Sequence, residues 1–347
     1  MEGLLFNIDS GYAEALVRGF RSGLISSSQY TNMTQCETLE DLKLQLSATE
    51  YGNFLGNVPS PLPTSAFQDK AAQRLVSQFR YIQTTAVEPL STLLDYITYG
   101  YMIDNVVLLI SGTVHSRDRG ELLERCQPLG WFDTLPALSV ATDVQGLYDT
   151  VLVDTPLAPY FKTCLSSANE LTDMNVEIIR NRLCKAYLED FAEFSKTLPS
   201  PSNEIMLRFL EFEADRRTIN IAFNSIGTEL SREERESLMP ALGSLYPVAT
   251  SHLVRTDEPE QVRNIIETFG PIELASLFDN SNQKSLEDHF YLREMELCRD
   301  AFTQQFTYAT FYAWLRAAEQ EVRNITWIAE CIAQNQKTRI NNYISVF

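Results

Sequence analysis

The three histidines are the first residues to test for chemistry, because imidazole is the side chain best suited to moving protons or holding a metal near neutral pH. His115, His252 and His289 lie far apart in the chain, outside any His-Glu-x-x-His pair or Cys/His cluster that would hold zinc. His115-Ser116-Arg117-Asp118 shares its residue order with a kinase catalytic loop, yet the other parts of a kinase are missing. There is no Gly-x-x-x-x-Gly-Lys-Ser/Thr phosphate loop and no Gly-x-Gly-x-x-Gly fingerprint. The Asp-Asp-x-x-Asp pattern of all-helical metal-dependent enzymes does not occur, and Glu233, Glu234 and Glu236 read as a solvated helix face. The expectation is a chain with no catalytic site, no cofactor, no metal and no small-molecule substrate.

The informative polar residues are those set into apolar helical patterns. In Glu319–Asn335, Val322, Ile325, Ile328, Ala329 and Ile332 share one helical face, and Glu319, Arg323, Thr326, Glu330 and Gln334 share the opposite one. Glu319 precedes Arg323 by four residues, the better orientation for an ion pair on a helix. Two residues break the pattern: Trp327 falls beside the polar stripe, and Glu321 falls among the isoleucines. Two earlier stretches, YITYGYMIDNVVLLISG and FLEFEADRRTINIAFNSI, are apolar nearly all round, yet carry Asp104 and then Glu213, Asp215, Arg216 and Arg217. Charges on a buried helix are paired inside the protein or line a wet cavity. The sequence leaves both readings open.

The elements that position these residues read as helices. Thr34-x-x-Glu37, Ser231-x-x-Glu234 and Ser285-x-x-Asp288 each offer a hydroxyl cap with an acid three residues on. Strand-like alternation is scarce, and Ser139 to Thr142 is too short to count. Breaks are expected at Val58 to Thr64, Leu198 to Pro201 and Ile226 to Ser231. The chain has 347 residues, 44% of them hydrophobic, enough for two or three structural units. Its longest apolar run, Val106 to Ile110, is far short of the roughly 20 residues of a membrane span. No basic region followed by an apolar stretch marks a secretory signal, so the expected setting is cytoplasmic. The six cysteines have no short paired spacing and are expected as buried thiols. The sequons at Asn32 and Asn324 carry little weight without secretion.

Net charge is −18, from 46 acidic and 28 basic residues. Such a surface opposes nucleic acid, whose phosphates need Lys and Arg, and adsorption to an anionic leaflet. It suits simple solubility or a basic protein partner.

Two themes recur. Asn105-Val106, Asn220-Ile221 and Asn324-Ile325 each sit in one of the three helical stretches above, 115 and 104 residues apart. Ahead of each lies a threonine followed by two apolar residues four apart: Thr38…Leu42…Leu46, Thr142…Leu147…Val151 and Thr256…Val262…Ile266. Their common order suggests a triplication. The expected fold is all-α, with three helical units (1–125, 126–235 and 236–347) of approximate threefold pseudo-symmetry around a central cavity.

Several long blocks then identify a family. MEGLLFNIDSGYAEALVRGFRSGLI, DYITYGYMIDNV, CQPLGWFDTLP, LVDTPLAPYF, NVEIIRNRLCKAYLEDF, FEADRRTINI, LEDHFYLREMELCRDAFTQQF and EQEVRNITWIAECIAQNQKTRINNYISVF resemble the subunit d family of vacuolar-type proton ATPases, fungal members most of all. The resemblance spans Met1 to Phe347 and is weakest over Pro59 to Gln83 and Thr228 to Gln283. It implies a non-catalytic subunit of the membrane sector, a funnel of three similar helical units on the cytoplasmic side of an acidic-organelle membrane. The implied partners are the central rotor stalk, received in the funnel's mouth, and the proteolipid ring beneath it. In that setting Trp327 is the expected anchor, with a core tryptophan as the competing reading. Glu321, Arg323 and Glu330, with Asp215 and Arg216 on the counterpart helix, are the expected cavity-lining or partner-contact residues. The alternative from another class is a free-standing helical scaffold that binds soluble partners.

Overall fold

The computed structural model describes residues 2–140, 148–162, 173–278 and 285–347, and within these every regular element is helical. The longer helices are α1 (Glu2–Ser22), α2 (Ser27–Thr34), α3 (Leu39–Ser47), α4 (Thr64–Thr85), α5 (Leu90–Val114), α6 (Asp173–Lys196), α7 (Ser202–Asn224), α8 (Arg232–Leu238), α9 (Pro259–Phe269), α10 (Leu286–Thr303) and α11 (Ala309–Ala333). No strand occurs among the described residues. The expected breaks fall where helices stop: before α4, between α6 and α7, and between α7 and α8.

Local chemistry sets several of the starts. Ser231 and Ser285 form capping boxes with Glu234 and Asp288, satisfying backbone N–H groups that a helix leaves unpaired at its first turn. Thr34 is a correction. It ends α2, with its hydroxyl donating to the Thr31 carbonyl at 3.0 Å, while the boxes nearby are Ser26 with Gln29 and Thr38 with Asp41. Thr34 is buried at the end of α2, whereas Thr38 has the extended backbone a cap requires. At the other end of the chain, Asn335 (φ 57°) closes α11. The Gln336 amide donates to the Cys331 carbonyl at 2.8 Å and the Asn335 amide to Ile332 at 3.1 Å, the two bonds of a Schellman stop.

By packing, the chain forms two compact units, one of residues 1–91, 199–205 and 282–347, the other of 92–198 and 206–281. That grouping reports contacts; the three spans expected from the sequence report a recurring pattern, which is a different division. In the first unit, α11 packs against α4, α10, α1 and α3. Its core joins Tyr30, Met33, Leu42, Leu46 and Phe67 to Ile325, Ile328 and Ala329. The core of the second unit is built on α5 and α6, with Val106, Leu109, Ile179 and Leu183 fully enclosed. Helix α5 is long and apolar enough to cross a membrane by length and composition, which the short apolar run had not suggested. Its side chains are instead drawn into that core, with 56% of the most apolar window buried.

The repeated threonine theme has a physical counterpart. Leu42 and Leu46 on α3, and Val262 and Ile266 on α9, are all fully enclosed. Thr38 caps its helix, whereas Thr256 is buried and donates to the Leu253 carbonyl. Thr142 and Leu147 of the middle copy, Cys164, and the end of the Ser139 to Thr142 stretch lie outside the described residues. Cys36, Cys126, Cys184, Cys298 and Cys331 are buried free thiols, as expected.

Candidate functional site

Helix α11 buries one stripe and leaves another part-open, because its apolar residues recur at three- and four-residue spacing. Ile325, Ile328 and Ala329 face the core, and Val322 and Ile332 pack at its margin. Glu321 falls on that same stripe and is completely enclosed. Its carboxylate accepts from the Ile25 amide at 2.6 Å, the Tyr51 hydroxyl at 2.7 Å and Arg74 Nη1 at 3.1 Å. The Arg74 guanidinium in turn reaches Glu50 at 2.6 Å and lies 4.4 Å from the centre of the Tyr51 ring. Burial pushes the Glu321 carboxyl above the ordinary glutamate range, while its three donors pull against that shift. Glu321 therefore has no open face for a partner. Its place in a cavity lining is corrected to the internal ion pair, because Arg74, on the apolar stripe of α4, supplies the counter-charge.

The polar stripe of α11 is a charge ladder against α10. Arg316 donates to Glu294 at 2.6 Å and to Glu319 at 2.7 Å. Arg323 donates to Gln320 at 3.0 Å, approaches Glu294 at 3.9 Å and stacks 4.3 Å from the centre of the Tyr291 ring. Glu330 is half-buried and accepts from Gln334 at 3.0 Å. Trp327 stands clear of the core with 38% of its surface exposed. Its indole N–H donates to the Arg339 carbonyl at 3.2 Å, which fixes the ring plane while leaving ring surface open. Trp327, Arg323 and Glu330 thus share one helix and keep surface open to solvent, as does Arg216 on α7.

In the second unit Asp215 is buried and spans a return loop. It accepts from the Ser244 amide at 3.0 Å, the Ser244 hydroxyl at 2.6 Å and the Leu245 amide at 3.0 Å. Gly243 takes φ +97° beside it, and a Cβ there would meet the carboxylate at 2.4 Å, so the turn needs glycine. Burial raises the Asp215 carboxyl to about 6 against the lowering effect of those three donors. Asp215, too, is a structural anchor with no open face. Arg216 and Arg217 both approach Glu213, at 3.7 and 2.9 Å. A cavity of about 830 Å³ opens in this unit, lined by Arg180, Asn181, Arg217, Asn220, Asn224 and Thr228 among others; Asp215 and Arg216 are not part of its lining.

Two of the recurring asparagines have matching tasks. Asn105 donates to the Gln127 carbonyl at 2.9 Å and accepts from the Gln127 amide at 2.7 Å. Asn324 donates to the Ile344 carbonyl at 2.6 Å and accepts from the Ile344 amide at 3.1 Å. In each case a buried side-chain amide on a long helix makes a two-point bond to backbone about twenty residues further along. Sequence reasoning singled out these positions but not their role. It missed Arg74 and Tyr51 altogether, although Arg74 is legible as a cation in the apolar stripe Phe67, Ala71, Leu75, Phe79, Ile82.

Comparison with known proteins bears on the whole chain. The family model for the ATP synthase (C/AC39) subunit matches residues 13–343. The V-type proton ATPase subunit d of Saccharomyces cerevisiae is 58% identical over 354 residues, covering 100% of both chains. That of Neurospora crassa is 54% identical, again covering 100% of both. A third relative, the V-type proton ATPase subunit d of Dictyostelium discoideum, is 52% identical over 99% of this chain and 96% of its own. With full-length identity above half to proteins of one name, the chain belongs to the V-type proton ATPase subunit d family.

Proposed function

We propose that this chain is a non-catalytic coupling piece of a V-type proton ATPase, passing rotation from the central rotor stalk to the proteolipid ring. ATP hydrolysis elsewhere in the complex turns the stalk, and this subunit makes the ring turn with it, so that protons cross the membrane. The observation that carries the reading is the end-to-end likeness to V-type proton ATPase subunits d. The proposed position is peripheral, on the cytoplasmic face of a vacuolar or other acidic-organelle membrane, held there through protein contacts.

The packing suits the task. A transmitter of torque must resist deformation, and close-packed helices with enclosed ion pairs deform little. Three repeats, 1–125, 126–235 and 236–347, set about a funnel-like hollow, are part of the proposal. The equivalent bonds made by Asn105 and Asn324, and the enclosed pairs Leu42/Leu46 and Val262/Ile266, support a common ancestry for the repeats. Trp327, Arg323 and Glu330 are the proposed partner contacts, and Glu321 and Asp215 keep the elements that carry such contacts in place. Arg216 is retained as a secondary contact.

Fractionation tests the assignment. The chain is expected to pellet with membranes and to co-purify with the proton ATPase. A chain that stays in the supernatant and binds only soluble partners would be the free-standing scaffold instead.

A further inference from the structure

The cavity of about 830 Å³ in the second unit is lined by α6, α7, the loop after α7 and the end of α8, all inside that one compact unit. On α7, Arg217, Asn220, Ile221 and Asn224 recur at i, i+3, i+4 and i+7, so a single helix face makes one wall. On α6, Ile178 and Asn181, three residues apart, belong to a second wall. Ile221 and Leu238 are buried and supply apolar surface. Arg217, Asn220 and Asn181 are half-buried, whereas Glu177, Arg180, Asn224, Thr228 and Glu229 are exposed and form the mouth.

Charge divides by depth. Among the described lining residues, Glu177, Arg180 and Glu229 are charged and exposed, and Glu177 offsets Arg180 at 3.7 Å. Arg217 is the charged lining residue drawn inward. Its Nε lies 2.9 Å from Glu213, yet off the line of a hydrogen bond, and none of its nitrogens donates one to a described residue. Glu213 is also shared with Arg216 at 3.7 Å. An arginine held only to neutralise its neighbour aligns on it, as Arg316 does on Glu294 at 2.6 Å. Arg217 instead keeps its donors for another acceptor, and the Asn181 carboxamide beside the cavity is likewise without a hydrogen-bond partner among the described residues.

We propose that this cavity binds a small monocarboxylate with an apolar body, its carboxylate on Arg217 and Asn181 and its apolar part against Ile221 and Leu238. A guanidinium presents its donors as a rigid fork that fits a carboxylate two-pronged. The volume lies within the range of about 300–1,000 Å³ typical of small-ligand sites, which pair apolar walls with a few placed polar groups. Charge narrows the class. A cationic ligand would meet Arg217, and a neutral one would leave the fork unused. A doubly charged phosphate ester would find one inward cation, already offset in part by Glu213, and would pass the exposed Glu229 at the mouth.

Titration calorimetry of the full chain with octanoate tests the site, with octanol, octylamine and octyl phosphate as matched probes that change only the head group. Octanoate is expected to bind at one site, about tenfold or more tighter than each of the other three. Arg217→Lys keeps the charge and loses the fork, and is expected to weaken octanoate about tenfold. Asn224 is exposed at the mouth, so its variants leave the unfolding midpoint unchanged and report charge alone. At low salt Asn224→Asp is expected to weaken octanoate about threefold and Asn224→Lys to tighten it about threefold. Any one of three results overturns the proposal: no saturable heat with octanoate, octanol or octyl phosphate binding as tightly, or affinity indifferent to both Asn224 changes.

Discussion

Two carboxylates explain why charge on an apolar helix was ambiguous in the sequence. Glu321 lies in the apolar stripe of α11, and its counter-ion lies in the apolar stripe of α4, more than two hundred residues earlier. Each misplaced charge was legible; their pairing was not, because nothing local records which stripes meet. Arg74→Ala leaves Glu321 buried without its cation and is expected to destabilise the chain by about 3–5 kcal/mol. Arg74→Met with Glu321→Gln is expected to recover most of that loss in a double-mutant cycle measured by denaturant unfolding. For Asp215 the sign follows from its raised value, about 6. Its carboxyl is favoured as the neutral form in the folded chain, so its contribution is fully present below the unfolded value of about 3.9 and is lost as pH rises through about 6. Carbon NMR of the Asp215 carboxyl is expected to titrate near 6. The stability of the wild type relative to Asp215→Asn, which cannot titrate, should fall by about 3 kcal/mol between pH 4 and 7. Trp327 was legible from the helical wheel alone. Trp327→Ala is expected to weaken assembly of the ATPase by about 2 kcal/mol or more. Lys337→Ala, which removes only an exposed pair with Glu37 at 3.1 Å, should change it by less than about 1 kcal/mol. Quantitative pull-down of the two variants with the complex measures the difference.

At the scale of elements, helix was readable almost everywhere, because three- and four-residue periodicity and hydroxyl-acid caps are local signals. Thr34 shows the limit. The same Thr-x-x-acid spacing occurs at Thr34 and, four residues on, at Thr38, and only the backbone decides that the second is the cap. The end of α11 was also readable, since Asn335 is one of the few residue types that enter the left-handed region easily. Asn335→Gly is expected to be neutral or stabilising by a few tenths of a kcal/mol, and Asn335→Val to destabilise by about 1–2 kcal/mol. Thermal unfolding of the two variants checks the order. Helix α5 shows the reverse problem: hydropathy alone cannot separate a core helix from a membrane span, and burial of its side chains against α6 decides the matter here.

For the whole molecule, family membership was legible because long blocks of sequence match end to end. The recurrence of the asparagines was legible only as spacing. What gives the spacing physical content is that Asn105 and Asn324 make the same two-point bond to backbone downstream, a geometry that residue intervals do not encode. The proposed coupling of stalk to ring is tested most directly by the ratio of protons transported to ATP hydrolysed. In membranes whose ATPase is assembled with the Trp327→Ala chain, that ratio is expected to fall while hydrolysis continues, and to return when the wild-type chain is restored. A complex lacking this subunit that still pumps with the full ratio would contradict the account.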